Sequence, residues 1–249
     1  MSAEEGTATA QSIALAEAVH SQLQEILAAA ASDPALTEDL ALSLLKRPDL
    51  PAVVLETLSR NASVIKLRKV RFALFSHAHT PRHISLPGLR HLPTFEVMQV
   101  ALTPTVPADV KRAAEEILLK RLGAISSGER LSLARRASGR IAGELLLDKE
   151  ARVMRTALEN SRLTESGIVN ALARQDSTAA FVHAVCHHPK WSLRREVRVA
   201  LLGHEKTPLA RALEFARSLP PALLREVLHN SRLPAHTKSY LIRECLKSK

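Results

Sequence analysis

Apolar residues recur along the chain at helical spacing, in short blocks that are each closed by a few polar residues or a proline. From Gln11 to Ala31, the positions Ile13, Leu15, Ala16, Val19, Leu23, Ile26 and Leu27 form one stripe, with Glu17, Gln22 and Glu25 lying off it. Asp33-Pro34 interrupts this pattern, and Thr37 is placed to cap a new helix. Residues 1–10, small and acidic, read as a disordered leader. Beyond Thr37 the helix-start signals come at short intervals: Thr37, Pro51, Ile65, Pro81, Pro93 and Pro107, and later Thr164, Thr178, Ser192, Pro208, Pro220 and Pro234. Both series step by 14, 14, 16, 12 and 14 residues.

A step of about 14 residues holds two to three helical turns and a short connection. Helices so short are marginal alone and are held by their neighbours. Within 149–173, Val153, Met154, Ala157 and Leu158 line one face of a first helix, and Ile168, Val169, Ala171 and Leu172 that of a second. Between them Asn160 is expected in the left-handed position that ends a helix, and Thr164 is expected to cap the next. Each unit exposes an apolar face that only the following unit can cover. The predicted fold is therefore all-α, an α-solenoid of short stacked helices.

The spacing also predicts two tandem, duplicated halves. Val70-Arg71-Phe72-Ala73-Leu74 and Val197-Arg198-Val199-Ala200-Leu201 lie 127 positions apart, and each leads into a His-x-x-Thr-Pro turn, at His77 and His204. Leu36-Thr37-Glu38 matches Leu163-Thr164-Glu165 at the same offset, and Leu92-Pro93 matches Leu219-Pro220. The halves are placed at 11–122 and 138–249. Residues 123–137 form a junction with a basic helix beginning near Glu129.

The run from Leu147 to Thr164, with Asp148, Val153, Ala157, Asn160 and Thr164, resembles the short helical units of HEAT-like and leucine-rich-repeat-variant solenoids. The Val-Arg pairs at 70–71 and 197–198 are similar to those of the same families. The resemblance spans most of 30–249 and implies architecture only. It implies no particular activity.

Composition narrows the picture. Aromatic residues are only 3% of the chain, and the two cysteines, Cys186 and Cys245, make no disulfide framework, which suits a reducing compartment. No signal-peptide pattern and no apolar run long enough to span a bilayer is seen, so a cytoplasmic location and no membrane association are expected. The net charge of +10 is uneven: residues 1–60 carry −6, leaving +16 for the remainder. Such polarity favours acidic partners.

Candidate chemistry is sparse. His183 and His187 share a helical face beside Cys186 and His188, and His77, His79 and His83 cluster likewise, but neither set shows a standard four-ligand zinc spacing. No metal, cofactor or catalytic residue is assigned, and Cys186 reads as a buried structural thiol. The basic residues carry the binding reading: Lys66, Arg68 and Lys69 form one cluster, Lys190, Arg194 and Arg195 its counterpart, with Arg135 and Arg136 on the junction helix and Trp191 adjoining the second cluster. Arg71 and Arg198 are assigned instead to bonds between neighbouring helix ends. HEAT-like DNA glycosylases use a basic face, but none of their catalytic motifs is matched. The expected function is a non-enzymatic scaffold binding a protein partner through a curved surface; the alternative is a nucleic-acid-binding module using a basic groove.

Overall fold

The computed structural model describes residues 13–246. The expected leader at 1–10 lies outside them. The described chain is all-α. Residues 13–19 are helical, and seventeen further helices follow. The chain divides into two compact units, residues 1–121 and 122–249.

In the first unit the helices are α1 (Gln24–Ser32), α2 (Glu38–Leu45), α3 (Ala52–Arg60), α4 (Ala62–Ile65), α5 (Arg68–Ser76), α6 (Arg82–Leu89), α7 (Thr94–Leu102) and α8 (Ala108–Arg121). The continuous helix expected over 11–31 is broken at residues 20–23, where the Ser21 hydroxyl accepts a hydrogen bond from the Leu23 amide (3.1 Å) and offers the backbone a turn in place of the helical bond. The second unit contains α9 (Ser127–Arg136), α10 (Gly139–Leu145), α11 (Ala151–Leu158), α12 (Glu165–Ala173), α13 (Ala179–His187), α14 (Arg195–Gly203), α15 (Leu209–Arg217), α16 (Pro221–Asn230) and α17 (Ala235–Leu246).

Packing is mainly between near neighbours in sequence. In the second unit α9, α11 and α13 lie side by side in one row, and α10, α12, α14 and α16 in another. Consecutive helices such as α9 and α10 close the space between rows. The first unit pairs α1 with α3, α2 with α5, α5 with α7 and α6 with α8. Most helices bury two to five residues at helical spacing, such as Val153, Met154, Ala157 and Leu158 on α11 and Ile168, Ala171 and Leu172 on α12. This is the architecture expected of a helical repeat.

Helix N-caps stand at Thr37, Pro51, Leu67, Pro81 and Pro93 in the first unit, and at Thr164, Thr178, Arg194, Pro208 and Pro220 in the second. Every pair is 127 residues apart. The expected starts at Ile65 and Ser192 are both displaced by two residues. Leu67 and Arg194 make no side-chain capping bond, so these two starts have no polar cap to announce them. The prolines occupy the N-cap itself rather than the first helical position; the ring's fixed φ suits the extended cap backbone. The junction helix begins at Ser127, not Glu129. Ser126 and Glu129 form a reciprocal capping box, a Ser-x-x-Glu signal present in the sequence, and α9 packs on α10 and α11 as part of the second unit.

One kind of tie joins successive repeats. A polar side chain at or just after the end of one helix reaches a carbonyl at or just past the end of the helix two places earlier, where acceptors are left without an intrahelical partner. Asn160 donates to the Ala134 (2.7 Å) and Ala137 (3.3 Å) carbonyls, and Arg162 donates to that of Arg136 (3.1 Å). Asn61 likewise serves Ala31 and Asp33, both at 2.9 Å, and Arg121 serves Arg90 and Leu92, both at 2.8 Å. No described residue has positive φ, so Asn160 does not adopt the expected left-handed conformation. Its side-chain oxygen instead accepts from the Arg162 amide (2.8 Å), closing the turn from outside the backbone. This turn also passes close to Gly139, where a Cβ would collide with the Arg162 carbonyl.

The His-x-x-Thr-Pro turns follow the same logic. The His77 and His204 Nδ1 atoms accept from the amides two residues on, at 3.2 and 3.1 Å. The Thr80 and Thr207 hydroxyls donate to the Leu74 and Leu201 carbonyls, each at 2.6 Å, and the proline then caps the next helix. The motif is a helix-to-helix connector.

Candidate cationic groove

The second unit carries all of the net charge. Residues 1–121 hold 13 Lys and Arg against 13 Asp and Glu, whereas residues 122–249 hold 22 against 12. Within this unit a groove of about 480 Å³ opens along the C-terminal ends of α9, α11 and α13. Leu158, Ala184 and Pro189 supply apolar lining, and Arg135, Arg155, Thr156, Glu159, His187 and His188 supply the polar groups.

Local sequence explains these positions. On α11, burial of Val153, Met154, Ala157 and Leu158 turns Arg152, Arg155 and Glu159 outward. On α13, Phe181, Val182, Val185 and Cys186 are buried, leaving His183 and His187 exposed. Arg135 and Arg155 lie in the last turns of their helices, where a cation is favoured by the helix dipole. No carboxylate of the described residues forms an ion pair with either. Glu159 is held instead by the His188 Nε2 at 3.1 Å. His188 Nδ1 accepts from the Lys190 (3.2 Å) and Trp191 (3.4 Å) amides, so the ring proton sits on Nε2 and is donated to Glu159. His187 donates from Nδ1 to the His183 carbonyl (2.8 Å), leaving Nε2 as an acceptor at the rim.

The sequence-derived candidates divide. Arg135 lines the groove. Arg136, Lys190, Arg194 and Arg195 are exposed on the same unit but outside its lining. Trp191 is only 2% exposed, its indole N–H donates to the Leu158 carbonyl (2.9 Å), and the Lys190 ammonium lies 3.9 Å from its ring centre. It is a core anchor and not a contact surface, a correction to its place among the binding residues. In the first unit Lys66 is exposed, Arg68 is engaged by Glu96, and Lys69 lies 3.5 Å from Glu38. Arg198 donates to the Ser192 carbonyl (2.7 Å) in the connection that precedes its own helix, and Arg71 leaves its Nε without a partner, so neither makes the helix-end tie expected of it. Ties of that kind are made by Asn61, Arg121, Asn160, Arg162 and Trp191. Arg155, Glu159 and His187 were not singled out for binding. Only an outward-facing last turn marks Arg155 in the sequence.

The histidine clusters are tied into the scaffold. His77 Nε2 donates to the Arg47 carbonyl (2.8 Å), and His79 Nδ1 lies 3.1 Å from that of Leu50. His83 is exposed, 3.9 Å from Glu56. Among the described residues no group of three or more His, Cys, Asp or Glu is arranged to hold a metal ion. Burial pushes the Cys186 thiol up to about 11, the opposite of an activated nucleophile. No described helix is long and apolar enough to cross a membrane.

Burial, and then the charges of Lys206 and Arg232, lower the pKa of His204 from its ordinary value. The unfolded chain therefore binds a proton more readily than the folded one. The resulting stability is complete above the unfolded value of about 6.5 and declines as pH falls through it toward the lower folded value. His204→Asn keeps the turn acceptor and removes the titration. Urea unfolding at about pH 7.5 and about pH 5.5 is expected to show a smaller acid-induced loss in the variant than in the parent. An equal loss in both would remove His204 from the effect.

Compared with protein families, with curated protein sequences and with solved structures, the chain matches none.

Proposed function

We propose that the chain is a non-enzymatic helical-repeat scaffold that binds a partner protein, with the groove of the second unit as its contact surface. The observation that carries this reading is the groove itself, where two arginines without ion-pair partners among the described residues stand over an apolar lining. The carbonyl ties pre-form that surface, so little ordering is required when a partner docks. We also read the shared 127-residue spacing of the N-caps as an internal duplication of a HEAT-like or leucine-rich-repeat-variant unit. The matched Thr80 and Thr207 bonds support it.

Nucleic-acid binding is the second reading, favoured by the confinement of the net positive charge to residues 122–249. Three features weigh against it. Arg68 and Lys69 are already engaged by carboxylates, Trp191 is buried and offers no stacking surface, and the groove contains Glu159. Two experiments separate the readings: photo-crosslinking in cells from a reactive residue placed at Ala184, and gel shifts with duplex DNA across a salt series. Protein adducts that disappear in Arg135→Glu/Arg155→Glu support the scaffold reading. Duplex binding with a steep salt dependence, without protein adducts, overturns it.

A further inference from the structure

We infer that the groove along the C-terminal ends of α9, α11 and α13 takes an acidic segment of a partner polypeptide, with carboxylates pairing to Arg135 and Arg155. This rests on the scaffold reading and deepens it. Arg135 and Arg155 project from adjacent helices of one row and both line the same groove. The one carboxylate lining the groove, Glu159, is bonded to His188, and among the described residues both guanidinium groups have no ion-pair partner. Leu158, Ala184 and Pro189 give the groove an apolar portion against which an incoming chain displaces water, strengthening charge-assisted bonds formed there.

Glu159 also selects the class of ligand. A continuous phosphodiester track would meet its negative charge, whereas a polypeptide can present main-chain N–H donors to it between acidic side chains. His187 Nε2 and the Thr156 hydroxyl offer further acceptors in the same groove. The excess of ten positive charges on residues 122–249 steers an acidic partner toward this unit during encounter.

The test uses the full chain and a fluorescein-labelled glutamate–alanine peptide of about twelve residues, long enough to cross two or three helices of about 10 Å diameter when extended. Binding is followed by fluorescence anisotropy at low salt, with a lysine–alanine peptide and a charge-matched DNA oligonucleotide as comparators. Arg135→Ala/Arg155→Ala is expected to weaken the acidic peptide about tenfold, and Arg217→Ala/Arg225→Ala, an equal charge loss at exposed positions outside the groove, less than about threefold. Equal weakening by the two double variants, or tighter binding of the oligonucleotide than of the acidic peptide, overturns the inference. If peptide binding ignores the groove pair while cellular protein adducts from position 184 persist, the acidic-segment inference fails and the scaffold reading stands. Loss of those adducts from the unsubstituted groove removes both.

Discussion

Trp191→Ala is expected to destabilise the second unit by about 4 kcal/mol, because it empties a large buried site and leaves the Leu158 carbonyl unpaired. The indole is 2% exposed and comes from the turn between α13 and α14, yet its N–H reaches the end of α11, 33 residues earlier. The side chain thus fills the core and satisfies one of the carbonyls that α11 cannot bond internally. Trp191→Phe keeps most of the volume but not the donor, and is expected to cost about 1–2 kcal/mol. Circular dichroism during heating should show the order parent, Phe variant, Ala variant, with the last melting about 10 °C or more below the parent. An alanine variant that melts with the parent would remove Trp191 from the core. Since Trp191 is the single tryptophan, its fluorescence in the parent also reports unfolding of this unit.

Arg130→Met is expected to cost a similar amount, about 3–5 kcal/mol, for an electrostatic reason. The Arg130 side chain is 9% exposed, with Nε 2.8 Å from Asp148, which is itself 7% exposed. That contact is an ion pair without hydrogen-bond alignment. Nη2 donates to Glu150 (2.6 Å) and Nη1 to the Ile125 carbonyl (3.0 Å). Removing the cation strands the Asp148 charge in a site that water hardly reaches, whereas Glu150 is better hydrated. Asp148→Asn removes the stranded charge while keeping the acceptor for the Glu150 amide (2.9 Å). Arg130→Met/Asp148→Asn should therefore be more stable than Arg130→Met alone, with a coupling above about 1 kcal/mol in a urea-unfolding cycle. Additive losses in that cycle would contradict the buried-pair account.

The helices were legible where they announce themselves locally. Thr37, Thr164 and Thr178 cap helices through their hydroxyls, and prolines 51, 81, 93, 208 and 220 stand at the starts marked for them. Leu67 and Arg194 make no capping bond, and those starts lie two residues beyond where spacing alone puts them. Ser126 and Glu129 carry a readable capping box, which starts the helix at Ser127, two residues before the basic stretch suggests.

The binding residues were less legible, because a basic residue looks the same in sequence whether its charge is spent or available. Arg68 and Lys69 meet carboxylates 28 and 31 positions away, and Arg130 is buried with two of them, while Arg135 and Arg155 meet none among the described residues. Trp191 illustrates the same limit: its immediate neighbours are Lys190 and Ser192, yet its ring lies in the core.

The sequence alone therefore determined the all-helical class, the short helix length and the repeated connector turns, since these follow from residues three or four positions apart and from caps at helix ends. Only the tertiary structure decided which cations remain unpaired, where Trp191 goes and that a groove forms across α9, α11 and α13. Those outcomes depend on side chains meeting helix ends roughly 25–35 residues away, and local periodicity carries no information about which partner a side chain will find across that distance.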